Sequence, residues 1–555
     1  MSTNNKTIPA PWSWTPSTYW DGNDGSWNSF IVQVGTPPQD FRILPSTSGQ
    51  ETWVLNPQGC TPEDPVDCPY QRGTLPYHGV NSTGFQSNES TTWRDIGLYT
   101  LDALEEQLGY SGNGLYGFDT VAIGNGSDAL KMDSQVVASI ADKSYFLGEF
   151  GIGPKAINFT TFADPIPNFL ANLVSQSRIS SFSFGYTAGA AYRNKAPASL
   201  VLGGCDANRY IASGISFLMN ADNSRPLTVG TQKILGQNTL SGAVNLLPAG
   251  GTYHFIDSAV PHLWLPASAI DAFVDAFGLQ YDNNTDLYLI NDTMRNKHLQ
   301  AKPTITFVIG ASSQEGVATE TLNVELPYAA LDLQASYPFY ANATNYFPIR
   351  EAVNATQMTL GRTFLQEAYI VADWERQNFT VGQARFDDLS SPDLVPILST
   401  AEAAKLNSTT SNATSASQKH GVPTGAIAGI VVGVVVILAV AVLGLVLVRR
   451  RRQARAKQQQ ATDADEKTGE LLDKPELPPT NNICELPPSL PKQPAEVDGN
   501  TAKWGAHGVQ EVPSPPVGHE AGLKELGHGD GFLAEAPGSE RPRAELEGSE
   551  VPRFF

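Results

Sequence analysis

Positive charge is scarce in this sequence: 36 Lys and Arg stand against 56 Asp and Glu, a formal net charge of -20. Binding phosphates needs a clustered positive surface, so a nucleic-acid partner is excluded. No spaced set of metal ligands and no phosphate-binding glycine loop occurs, so neither a metal nor a cofactor is expected. The first residues, "MSTNNKTIPAPWSWTP", hold no apolar stretch of the kind that opens a secretory signal. Cysteines number only four.

One long apolar run is present. "GAIAGIVVGVVVILAVAVLGLVLV", 425–448, carries no charged residue; as a helix at 1.5 Å per residue it reaches about 36 Å, enough for a bilayer core of about 30 Å. "RRRRQARAK" follows at 449–457, and positive charge beside a span marks the cytoplasmic side. We therefore expect a single-pass membrane protein in contact with lipid, its N-terminal part extracellular or lumenal and its tail cytoplasmic, the plasma membrane being the favoured site. Asn-X-Ser/Thr sequons at Asn5, Asn81, Asn88, Asn125, Asn158, Asn283, Asn291, Asn342, Asn354, Asn378, Asn407 and Asn412 all precede the span, as expected of a glycosylated ectodomain. An ectodomain of this size normally needs a signal peptide. The start is thus read as truncated or mature, the alternative being that the late span alone directs insertion.

Cys60 and Cys68 close a short Pro- and Asp-rich loop and are expected to form a disulfide, contributing roughly 2–3 kcal/mol through loop entropy. Cys205 has no external partner and reads as a small buried hydrophobe. Cys484 falls in the tail and should be reduced.

Residues 26–388 mix short β-branched and aromatic runs with Gly, Asn, Asp and Pro turns, which reads as mainly β. "PNFLANLVSQS", 167–177, and "ASAIDAFVDAFG", 267–278, are the clearest amphipathic helices. From about 390 to 424 the composition turns to Ser, Thr, Asn and Ala, a stalk. Residues 453–555 bury too little apolar surface to fold.

Five segments, in order, resemble the pepsin-like aspartic peptidases: "SFIVQVGTPPQDFRIL" (29–44), the first strand; "GYSGNGLYGFDTVAIG" (109–124), the flap hairpin; "SLVLGGCDANRY" (199–210), the passage to the second lobe; "TYHFIDSAVPHLWLP" (252–266), the second active-site loop; and "MTLGRTFLQEAYIVADWERQNFTVGQARF" (358–386), the closing segment. The resemblance implies a bilobal fold, with an N-terminal segment at 1–25, lobes at 26–200 and 201–388, a stalk at 389–424, the span at 425–448 and a disordered tail at 449–555.

The family's chemistry uses two carboxylates, one from each lobe, that share a proton because like charges so close do not both ionise. One takes a proton from water while the other polarises the scissile carbonyl. Each sits in an Asp-Thr/Ser-Gly triplet. By the family's spacing the first triplet here is Ser46-Thr47-Ser48 and the second Asp257-Ser258-Ala259. Thr47 and Ser258 keep the hydroxyls that brace the loops. Asp257 is the only retained carboxylate, and Ser48 and Ala259 replace glycines that set the loop backbone. Asp40 is too far along its strand to reach the axis. Two further family acids align with Leu147 and Arg362, and Tyr110 aligns with the flap tyrosine. His254 and His262 flank Asp257 without a nucleophile motif.

Losing one member of a catalytic set costs about four to six orders of magnitude in rate. The reading is thus a pseudo-enzyme whose cleft binds or senses an extended peptide or cell-surface ligand, the alternatives being an active endopeptidase with a degenerate site and a structural surface glycoprotein. Gly425, Gly429 and Gly433 form a small-residue stripe suited to self-association of the span. The Glu-Leu-Pro-Pro repeats at 476–479 and 485–488 suit polyproline II docking in the tail.

Overall fold

The computed structural model describes residues 8–405 except 102–103, 125, 160–162, 318–319 and 388. The stalk beyond 405, the apolar run 425–448 and the tail lie outside them. Among the described residues no helix is long and apolar enough to cross a membrane.

Strands form where apolar residues alternate. In Phe30–Val34 the residues Phe30, Val32 and Val34 are buried, and in Thr321–Pro327 every second side chain turns inward. The first lobe is a seven-stranded sheet running Phe30–Val34, Gln39–Ser46, Gly148–Gly151, Thr52–Leu55, Leu130–Ile140, Asn113–Ile123 and Arg94–Thr100. The second is an eight-stranded sheet along Thr321–Pro327, Thr304–Gly310, Thr228–Thr239, Thr252–Ile256, Thr359–Leu360, Leu263–Pro266 and Ile349–Ala352, with Gly242–Asn245 on the side of Thr228–Thr239.

A third, seven-stranded sheet joins the lobes. It takes strands from both halves of the sequence, Ser183–Thr187 lying between Ser199–Leu202 and Ala368–Asp373. The expected lobe boundary at 200/201 thus falls inside a strand of the shared sheet. The N-terminal segment is part of the fold: Trp12–Trp14 pairs with Ser199–Leu202, and the Trp14 ring lies 5.0 Å from both Phe30 and Phe150. The fold also runs past residue 388, because Leu394–Pro396 pairs with Gly204–Asp206.

Both expected helices form. Phe169–Ser175 is capped by Asn168, whose side chain accepts the Ala171 N–H. Ala267–Phe277 buries Ile270, Phe273 and Phe277 and ends at Gly278, whose φ of 66° suits glycine. The Cys60–Cys68 disulfide forms, and Cys205 is free and buried.

Candidate active site

The two loops are built alike. In the first lobe Gln39–Ser46 runs parallel to Gly148–Gly151, with Ser46 opposite Gly151, and Thr52–Leu55 returns on the far side of that strand. In the second lobe Thr252–Ile256 runs parallel to Thr359–Leu360, flanked by Leu263–Pro266. Gly151 and Gly361 occupy matching places; a Cβ would lie 2.5 Å from Gln50 N at the first and 2.4 Å from the Val260 carbonyl at the second, so both must be glycine. Across the axis Thr47 N–H donates to Ser258 Oγ at 2.9 Å and Ser258 N–H to Thr47 Oγ1 at 3.0 Å, a reciprocal brace between the lobes. Thr47 and Ser258 stand where the sequence placed them.

Ser46 and Asp257 are both buried at this axis. Neither Ser48 nor Ala259 has a positive φ, so both side chains sit on backbone open to any residue. The serine puts its hydroxyl into the site. Ser48 Oγ lies 2.9 Å from Asp257 Oδ1, 3.2 Å from Ser46 Oγ and 2.7 Å from Glu105 Oε1.

Asp257 is the one carboxyl of the two triplets, and Glu105 brings a second to the axis from outside them. It lies on the helix Leu104–Leu108 at the tip of the flap hairpin formed by Arg94–Thr100 and Asn113–Ile123, and it is hydrogen-bonded to Asp257. A third carboxyl, Glu149, comes from the Gly148–Gly151 strand, two residues before the Gly151 that stands opposite Ser46. Burial, first of all, and then the charges of Asp257 and Glu149 push Glu105 well above the usual carboxylate range. Burial followed by the Asp257 charge pushes Glu149 up to about 8, against the pull of Arg362 and Ser46. Burial also raises Asp257, opposed by hydrogen bonds from Glu105, the Ala259 N–H and Ser48, and by the Arg362 charge. Three carboxyls this close cannot all ionise. The single Ser48 proton cannot serve two carboxylates at once, so one carboxyl must itself donate. Glu105 is that donor and Asp257 the ionised member.

Arg362, in the place of a family acid, donates to the carbonyls of Ser258 at 2.9 Å and Ala259 at 2.6 Å and pairs with Asp24 at 3.3 Å. It braces the second loop from behind. Tyr110 reaches across from the flap, its hydroxyl 3.4 Å from His262 Nδ1. His254 bonds Thr231 Oγ1 at 2.9 Å, and burial lowers both histidines, His254 to about 3 and His262 well below its ordinary value. Neither serves as a base for Asp257. Asp40 is held by Gln33 at 2.9 Å, away from the axis, as its strand position requires. A void of 40 Å³ lies beside Glu149, Tyr145 and Ala259, and a cavity of 580 Å³ opens beyond the flap tip between Thr61, Lys143, Phe339 and Arg350.

Among the described residues, Cys60, Asp64 and Cys68 are close enough to surround a metal. Both sulfurs are in the disulfide, which leaves no thiolate to bind one. The sequons at Asn81, Asn88, Asn283, Asn291, Asn342 and Asn354 are exposed, while Asn158 and Asn378 are half-buried. Asn125, Asn407, Asn412 and Asn5 lie outside the described residues.

Two lobes related in this way, with braced loops and a flap over the axis, define a pepsin-like domain. The model of the eukaryotic aspartyl proteases matches residues 29–385, and the chain belongs to that family. It is 26% identical to Pepsin B of Canis lupus familiaris over 62% of this chain and 77% of that protein. It is 22% identical to Secreted aspartic protease 1 of Candida albicans over 65% of this chain and 82% of that protein. Among solved structures it is similar to the aspartic proteinase from Irpex lacteus, with 16% identity, a TM-score of 0.45, and coverage of 69% of this chain and all of the other.

Proposed function

We propose that this chain is a single-pass membrane glycoprotein whose pepsin-like domain holds an extended peptide or a cell-surface ligand and does not cut it at an enzyme's rate. The observation that carries the reading is the axis itself: Ser46 stands where the first carboxylate belongs, and the partner of Asp257 is a flap residue. The family's mechanism needs a carboxyl on each loop so that water and the scissile carbonyl lie between them. A flap carboxyl approaches from the side on which a peptide must lie, so it cannot serve as the second loop acid with a peptide in place. The deficit of about four to six orders of magnitude corresponds to roughly 5–8 kcal/mol of barrier.

The span, the basic flank and the sequons support an extracellular or lumenal domain with a cytoplasmic tail, most simply at the plasma membrane. Self-association through Gly425, Gly429 and Gly433 belongs to this reading. A span-dimerisation reporter that is unaffected by Gly429→Ile with Gly433→Ile rules it out. A tail partner for the proline runs is tested by pull-down, comparing residues 453–555 with a version in which Pro478, Pro479, Pro487 and Pro488 are alanine; identical partners remove it. The function is tested on purified full-length protein in detergent by peptide hydrolysis and by binding of a statine-containing peptide from pH 3 to 7. Binding without turnover is expected; inhibitable turnover sinks the reading.

A further inference from the structure

The flap tip is fastened to the second lobe at several points. Leu108 packs with Val260, Trp264 and Met358. Gln357 Nε2 donates to the Gln107 carbonyl at 2.6 Å, and Tyr110 meets His262. At the centre Glu105 is only 3% exposed and Asp257 1%, so the tip fills the space directly over the axis. A carboxyl reaching down from the flap and a peptide backbone lying beneath the flap would occupy the same volume.

We propose that Glu105 is the cleft's own occupant: it takes on Asp257 and Ser48 the hydrogen bonds that a bound peptide would make, and a ligand binds by displacing it. The proposal rests on reading the cleft as a peptide-holding site. A second feature of the site points to a ligand. The Tyr145 hydroxyl is buried without a hydrogen-bond partner, its side chain lines the small void beside Glu149, and its pKa is raised by burial and then by Glu105 and Glu149. With Glu105 withdrawn, the site offers an acceptor at Asp257 and a hydroxyl of either role at Ser48, and the Tyr145 donor lies in the void lined by Glu149 and Ala259. That set suits a group that both donates and accepts, such as a secondary hydroxyl or an amide of an extended peptide.

The occupancy depends on protonation. Glu105 holds its proton far more tightly in the closed form than it would in water, so the closed form binds the extra proton. Closure is fullest below the ordinary carboxylate range and weakens as pH rises toward the raised value. Asp257 and Glu149, also raised by burial, act in the same direction. Tyr145 and Tyr110, raised by burial, stay neutral, and the Arg362 charge opposes the rise at Asp257 and Glu149. His262, held low under Tyr110, acts in the opposite direction below its ordinary value of 6.5. A measurement above pH 6.5 therefore isolates the carboxyls. A ligand that needs the open form binds with its intrinsic affinity reduced by the open fraction.

The test is the affinity of a statine-containing peptide for the full-length protein, for Glu105→Ala and for Glu105→Gln, between pH 6.5 and 8.5. Removing the occupant is expected to raise affinity at pH 6.5 at least about tenfold, the inverse of a one-tenth open fraction. The ratio of the Ala variant to wild type should fall as pH rises, since wild type then opens by itself. The Gln variant keeps the shape without the ionisation and should bind more weakly than wild type at pH 8.5. It also keeps the test alive if the Ala variant misfolds by thermal unfolding. Equal affinities for all three proteins at both pH values overturn the proposal and leave the peptide-holding reading standing. Binding by none of them removes that reading and the proposal with it. Turnover by wild type removes the non-catalytic part alone, and the occupant is still judged by the affinities.

Discussion

The two loops at the axis follow the same path with different chemistry. Each ends a strand that runs parallel to a short inner strand, each needs glycine at the next position of that inner strand, and Thr47 and Ser258 brace them reciprocally. The second loop presents a carboxylate that receives hydrogen bonds from the Ala259 N–H at 3.0 Å and from Ser48 at 2.9 Å. The first presents two hydroxyls, and its acids come from elsewhere: Glu149 from the inner strand and Glu105 from the flap. The inner strands differ in the same sense, since Glu149, opposite Leu44, matches Thr359, opposite Phe255. The frame of a catalytic site and its reacting groups are thus separable: hydrogen bonds and close backbone approach keep the first without the second.

Making the loops alike in chemistry should have the largest effect. Ser46→Asp alone leaves the Ser48 hydroxyl wedged between Asp257 and Glu105 and should restore little proteolysis. The combination Ser46→Asp, Ser48→Gly, Ala259→Gly with Glu105→Ala should gain at least about four orders of magnitude in acid peptidase rate, read as kcat/KM on a peptide substrate. Making the loops unlike in frame comes next. Gly361→Val drives a side chain into the Val260 and His262 carbonyls, which lie 2.4 and 2.5 Å from the Cβ position. It should cost about 4 kcal/mol or more by denaturant unfolding, and Gly151→Val should behave alike. A variant at either glycine that unfolds at the wild-type midpoint breaks the equivalence.

Smaller effects sharpen the comparison. Reducing the Cys60–Cys68 loop by Cys60→Ser with Cys68→Ser should cost roughly 2–3 kcal/mol, measured the same way, and should leave the axis unchanged. Glu149 distinguishes the inner strands by pH. Its folded pKa of about 8 lies above the ordinary 4.5, so the folded state gains stability from the bound proton below pH 4.5 and loses it as pH rises through 8. The fall in Tm between pH 5 and 8.5 should be shallower in Glu149→Gln. An identical fall in both proteins would show that Glu149 is not the strained group.

The frame was legible in the sequence because it depends on local spacing: the five segments, both helices, the disulfide and the bracing pair Thr47 and Ser258 all lie where their motifs put them. The shared sheet was not, because Trp12–Trp14 pairs with a strand far along the chain and has no pattern of its own beyond alternating tryptophan. Glu105 was hidden beside Glu106 on a polar flap tip. Only the closure of that tip makes the first buried and leaves the second exposed. Glu149 did leave a signal. It is an acid inside "YFLGEFGIG", in a strand buried along its whole length, and a charged residue in such a run is almost never there without a partner. The sequence alone could not say that this acid faces the Asp257 carboxyl and the Arg362 guanidinium.

The most direct measurement is the peptide hydrolysis rate of the full-length wild type against that of the restored four-site variant, at the variant's own optimum in acid. The account predicts a wild-type rate at least about four orders of magnitude lower. A wild-type rate equal to the variant's, abolished by Asp257→Asn, would contradict it.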